Sequence, residues 1–231
     1  MNLKFLVIIV IFQFYIGISR SSLVLYDFTI KENSVQNFVE VSDSTERTAG
    51  LSKASFVSID STNDPRAVFF SLLVPQDDSA CFAGIEDSSK GSMNWDLYES
   101  MTLHLKRSGP NSIYKVVLKD ALVQSQNSSV TFEQIFDIAS DCWTNTQEDN
   151  KNLKKANDKE GIDDGYDNEY SWGYVTLSLN KFVCSYHGQD CDYEFNKNQV
   201  SSFGLQIAGG RYESFTQSGV GSLELKTVIL A

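Results

Sequence analysis

Residues able to do chemistry are few in this chain and lie far apart. Its two histidines, His104 and His187, have no nucleophile signature beside them, because no G-x-S-x-G elbow presents a serine to a base. Gly209, Gly210, Gly219 and Gly221 do not form G-x-G-x-x-G and open no helix, so they build no phosphate cradle. Paired carboxylates can hydrolyse a glycoside. Among 30 Asp and Glu, however, some pair always falls at a suitable spacing, and the count singles out none. The run Asp163-Asp164-Gly165-Tyr166-Asp167-Asn168-Glu169 offers the oxygen ligands calcium takes, but not at EF-hand spacing, and reads as a solvated acidic loop. There is no C-x-x-C pair and no histidine cluster to suggest zinc. The chain therefore reads as non-catalytic, with neither cofactor nor metal, and its function as binding.

The candidates for binding are aromatic and charged. Arg211, Tyr212, Glu213 and Phe215 lie in one connection, and Trp95 and Tyr98 in another. Aromatics with arginine are common at protein-binding hot spots and also stack on sugars. The competing reading for each ring is a rim residue packed under a loop. The first connection, residues 211–218, separates two arms that alternate apolar and polar residues. Phe203, Leu205 and Ile207 alternate with Gly204, Gln206 and Ala208; Leu223, Leu225, Thr227 and Ile229 alternate with Glu224, Lys226 and Val228. A repeat of two is the mark of a strand. A hairpin needs a loop of about two to five residues, so eight suggest that the side chains form a surface.

Strand patterns recur along the rest of the chain, at 23–28, 38–41, 54–59, 67–74, 81–85, 101–106, 113–119, 130–139 and 172–179. Met101, Leu103 and Leu105 alternate with Thr102, His104 and Lys106, which makes His104 a polar residue on a sheet face. No stretch holds a helical repeat over three turns, and no internal repeat is present. Many short strands separated by turns predict an all-β, two-sheet sandwich. Residues 144–170, polar and almost without core formers, read as a long surface loop without fixed structure. The net charge of −11 and a pI near 4.6 argue against nucleic acid or an anionic membrane as partner.

The first nineteen residues stand apart. Lys4 precedes an apolar run, 5–18, and Gly17-Ile18-Ser19 supplies small residues for a signal peptidase. This predicts a signal peptide at 1–19, a single domain at 20–231, and no membrane span after cleavage; an uncleaved anchor is the alternative. In an exported chain Cys81, Cys142, Cys184 and Cys191 suggest two disulfides, with three possible pairings. Cys184–Cys191 and Cys81–Cys142 are preferred, against free buried thiols. Asn127-Ser128-Ser129 is a glycosylation sequon in a polar turn before a strand.

The ordered series of segments resembles the complex I intermediate-associated protein 30 family. SFGLQIAGGRYESFTQSGVGSLEL, at 202–225, is similar to the family's C-terminal part, and SDSTERTAGLSKASF, at 42–56, to its early segment. CFAGIE with Trp95-Asp96-Leu97, LHLKRSG with YKVVLKD, and Trp172 through Val183 follow in order. The resemblance implies a jelly-roll sandwich of the galactose-binding-like type and a non-enzymatic role in assembling a protein complex. The family's best-known members work in mitochondria, which leaves a mitochondrial assembly factor as an alternative to a secretory one. Glu46-Arg47 in the early segment reads as a structural ion pair. Where the family tends to carry arginine after Gly188, this chain has Gln189. The expected function is a secreted or secretory-pathway module that binds another protein, or else a carbohydrate-binding module whose partner is a glycan.

Overall fold

The computed structural model describes residues 22–30, 35–76, 80–141, 172–210 and 213–231. The signal-peptide segment, Cys142, the whole of 144–170 with its acidic run, Arg211 and Tyr212 lie outside the described residues. The first strands are β1 (Leu23–Asp27), β2 (Val39–Glu40), β3 (Lys53–Ile59), β4 (Arg66–Leu73), β5 (Ala80–Asp87) and β6 (Ser100–Ser108). They are followed by β7 (Ile113–Asp120), β8 (Val130–Asp137), β9 (Gly173–Ser178), β10 (Val183–Tyr186), β11 (Gln189–Asp190), β12 (Val200–Gly210) and β13 (Gly219–Leu230). Three short helices, α1 (Asp43–Glu46), α2 (Ala121–Gln126) and α3 (Ile138–Asp141), sit in connections. None is long and apolar enough to cross a membrane.

The two alternating arms near the C-terminal end are the axes of the two sheets. β13 is central in the first, ordered β3-β4-β13-β6-β9, with β1 pairing the part of β13 beyond β4. β12 is central in the second, ordered β11-β10-β8-β7-β12-β5-β2. Every pairing is antiparallel. Because β12 and β13 belong to different sheets, the 211–218 connection is a crossing and not a hairpin. Stacked sheets lie about 10 Å apart, a distance about three extended residues would span, so the crossing accounts for only part of its length.

The core lies between the sheets, where the two-residue repeat delivers one face of every strand. Phe69, Met101, Leu103, Leu105, Leu223, Leu225 and Val228 come from the first sheet; Val116, Leu118, Phe132, Phe203, Leu205 and Ile207 come from the second. Each is almost completely enclosed, and such a side chain contributes about 1.5–3 kcal/mol through burial.

Polar side chains pin the connections. Asp43, wholly buried, accepts hydrogen bonds from Ser52 N at 2.8 Å and Ser52 Oγ at 2.7 Å, and pairs with Arg47 at 3.7 Å. The ion pair expected of Glu46-Arg47 is thus made by Arg47 with Asp43, one helical turn back. Gly50 is required here, because a Cβ would stand 2.0 Å from the Asp43 carbonyl oxygen. Asp120 caps α2 through Leu122 N and Val123 N and also holds Asn196 N at 3.0 Å. β8 stops at Asp137, two residues before the expected end, where the Asp137 carboxylate accepts from Ala139 N and turns the chain into α3.

The Cys184–Cys191 bridge is formed, with Cα atoms 5.2 Å apart. It closes the β10–β11 hairpin, whose turn residues His187 and Gly188 both have positive φ, as a two-residue I′ turn requires. The second expected bridge is not made. Cys81 is a free, buried thiol with its sulfur 3.3 Å from Ser52 Oγ, and burial pushes its pKa up.

Candidate functional site

The residues singled out for binding fall at opposite ends of the sandwich. Trp95 and Tyr98 lie beside the start of β12: Met93 bridges Val200, and Trp95 N donates to Lys197 O at 2.7 Å. The 211–218 connection leaves from the other end of the same strand, roughly 30 Å away at the rise of an extended chain. Trp95 has no exposed surface, and Tyr98 is half-buried against the core. A buried indole touches no partner, so Trp95 is a core residue and the expectation of a contact there is corrected.

The described part of the 211–218 connection is anchored to the second sheet. Buried Gln217 accepts from Ile113 N at 2.9 Å and donates to Ile113 O at 2.8 Å and to Ala208 O at 3.0 Å. Asn111 Nδ2 reaches Ser218 O at 3.3 Å. Glu213 stands 3.5 Å from Lys115, which also holds Glu133 at 2.6 Å. Phe215 is half-buried. On the same outward face Lys119 meets Glu86 at 2.7 Å. Three carboxylates thus face two lysines, and among the described residues no aromatic contact accompanies them.

The outward face of the first sheet is different. The β6–β9 register sets His104 opposite Tyr174 and Thr102 opposite Thr176, so all four point away from the core. His104 stacks on Tyr174 with ring centres 4.4 Å apart and meets Trp172 edge-on at 5.2 Å. Lys226 Nζ lies 4.2 Å from the Trp172 ring centre, with Lys106 on the same ring at 6.0 Å. Lys226 also bonds Asp64 at 2.8 Å. Arg66 joins Asp64 at 3.1 Å and pairs with Glu224, which holds Lys106 at 3.7 Å. The Thr102 and Thr176 hydroxyls bond each other at 3.0 Å.

Burial, aided by the Lys226 charge, holds the His104 pKa below the usual histidine value. The hydrogen bond from Lys226 lowers the Asp64 carboxyl. The face therefore carries a neutral imidazole between two larger rings, then a row of charges. Beyond that row Phe70, Leu72 and Val220 are exposed side by side on β4 and β13, where Val220 pairs with Leu72. Chemically this is a surface for stacking and hydrogen bonding. Among the described residues no group of His, Cys, Asp and Glu is placed to hold a metal ion.

Neither a family model nor a curated protein sequence matches the chain. Solved structures do. The family 11 carbohydrate-binding module from Clostridium thermocellum, in complex with a β-1,3-1,4-mixed-linked tetrasaccharide, is similar with a TM-score of 0.53 and 11% identity, over 90% of this chain and 94% of that one. The family 11 module of the cellulosomal cellulase Lic26A-Cel5E of the same organism is similar with a TM-score of 0.53 and 10% identity, over 91% of this chain and 94% of that one. The likeness is one of fold. With the sheet order, it makes the chain a jelly-roll sandwich of the galactose-binding-like type, as expected.

The aromatic face was not among the expected sites. Its mark was present, since Trp172, Tyr174 and Thr176 recur every second residue and His104 already stood on an outward face. What brings them together is the pairing of strands about seventy residues apart in the chain. At the sequon, the Asn127 main chain closes α2 by donating to Val123 O, and its side chain accepts from Ser129 N at 3.1 Å.

Proposed function

We propose that this chain is a non-catalytic carbohydrate-binding module whose ligand lies on the outward face of the first sheet. The observation that carries the reading is the Trp172–His104–Tyr174 cluster. Three rings share one sheet face, with threonine hydroxyls on one side and paired charges on the other. Aromatic planes meet the apolar faces of pyranose rings, and convergent polar groups take their hydroxyls. The two similar modules support it, since one was solved with a bound tetrasaccharide. Fold likeness alone is weak evidence for a ligand, so the residues carry the weight.

The test is a glycan array followed by calorimetry on the best ligand, with wild type and Trp172→Ala. Micromolar binding that falls at least tenfold in the variant is expected. An empty array, or a variant that binds as well as wild type, overturns the reading.

A protein-binding module of the complex I intermediate-associated protein 30 kind is the second reading. The contiguous exposed Phe70, Leu72 and Val220 favour it, because such patches mark contact surfaces. Phe70→Ser should then abolish capture of a partner while leaving glycan binding intact. In both readings the chain acts in the secretory pathway or outside the cell. The Cys184–Cys191 bridge, the Asn127 sequon and the composition of the first nineteen residues support that placement. Locating a tagged chain by microscopy tests it, and mitochondrial staining would overturn it.

A further inference from the structure

The charges beside the aromatic cluster say which class of carbohydrate fits. The whole chain carries a net charge of −11, yet this face gathers three cations, Lys106, Lys226 and Arg66, against two carboxylates, Asp64 and Glu224. The two carboxylates are not equivalent. Glu224 is nearly enclosed and is gripped by Arg66 and Lys106, so it is a fixed part of the face. Asp64 comes from the connection between β3 and β4, and its side chain is 38% exposed. An exposed ion pair contributes little and is readily exchanged.

Lys226 is therefore held on one side by an indole and on the other by a replaceable carboxylate. An anion brought beside the Trp172 ring would meet an ammonium group already in place, with Lys106 as a second. We infer that the ligand is an anionic polysaccharide, its carboxylate or sulfate groups taking the place of Asp64 on Lys226 while a sugar ring packs against Trp172. This deepens the carbohydrate-binding reading and rests on it. Charge-assisted contacts with carboxylate or sulfate are the stronger kind of hydrogen bond, and they carry a salt dependence that neutral contacts lack.

The experiment uses ligand pairs that differ in charge alone. Polygalacturonate is compared with its fully methyl-esterified form, and dextran sulfate with dextran, by calorimetry at low and at 0.5 M salt. The charged member of at least one pair should bind at least tenfold more tightly, and the advantage should shrink at high salt. The first pair reports on carboxylate and the second on sulfate. Lys226→Gln should bring the charged-to-neutral ratio close to one. Lys119→Gln, on the outward face of the second sheet and outside the network, should leave that ratio as it is. Equal affinity for charged and neutral members overturns the inference and leaves the carbohydrate reading standing. A charge preference that survives Lys226→Gln also overturns it. Failure of every glycan on the array and in these pairs overturns both.

Discussion

Gln217 is where the 211–218 connection can be shown to be built into the fold. Its side chain replaces a strand pairing: one amide satisfies both main-chain groups of Ile113 and the carbonyl of Ala208. Gln217→Ala removes three hydrogen bonds and fills nothing in return. Each is worth about 1 kcal/mol net, and a buried group left without a partner costs about 1–3 kcal/mol. Ala208 is enclosed, whereas Ile113 is half-buried and can recover water. The sum comes to about 3 kcal/mol. For a domain of this size 1 kcal/mol moves Tm by about 2–4 °C, so a fall of about 6–12 °C is expected. Differential scanning calorimetry of wild type, Gln217→Ala and the exposed neighbour Thr216→Ala measures it, and the neighbour should stay within about 1 °C. A Gln217→Ala protein that melts within 2 °C of wild type would refute the reasoning and return the whole connection to the surface.

Other perturbations follow from the same packing. Gly50→Ala forces a Cβ onto the Asp43 carbonyl and should cost about 2–4 kcal/mol, read as a drop in denaturation midpoint at constant m-value. Replacing Cys184 and Cys191 together by serine opens a loop spanning a separation of seven residues. Loop-closure entropy puts that loss at about 2.5 kcal/mol, and no change in chemical denaturation would contradict it. His104 has a depressed pKa in the fold, so the unfolded chain binds the proton more readily. Its contribution is complete above the ordinary histidine pKa, near 6.5, and is lost as pH falls through the lower folded value. Melting from pH 7.5 to 5 should therefore fall more steeply for wild type than for His104→Gln, and parallel curves would contradict it.

Much of the sandwich is legible one strand at a time. The two-residue repeat is visible in both arms, but an irregularity between Leu225 and Thr227 shifts the second, so that Val228 and Leu230 face the core in place of Thr227 and Ile229. Which sheet each arm joins is not legible, because that depends on pairing with strands more than a hundred residues earlier, such as β4 and β5. The 211–218 connection therefore reads in the sequence as an over-long hairpin loop, whereas it passes from one sheet to the other. Arg47 shows the same limit on a small scale, since its sequence neighbour is Glu46 but the helical turn offers Asp43. Trp95 stands in a polar connection that gives no sign of burial, and its main chain is tied to the 197–199 turn through Lys197 O. The aromatic face was half legible. The alternation told which way Trp172, Tyr174 and His104 point, and only the β6–β9 register told that they touch.

The place of β13 in the first sheet bears on how the chain must be made. β1, β3, β4, β6 and β9 all precede it in sequence, and it alone joins the β3–β4 pair to the β6–β9 pair. During synthesis these two ribbons emerge with apolar faces and open edges, and β1 has no neighbour at all until β13 leaves the ribosome. The second sheet is in the same position, since β5 and β7 meet only through β12. Neither layer can close while translation is still short of residue 200, so folding waits for β12 and β13. Until then the nascent chain carries unpaired edges of the kind that invite aggregation. A cell making this protein therefore has to shield the strands that precede β12, and truncation anywhere before β13 should leave fragments that precipitate.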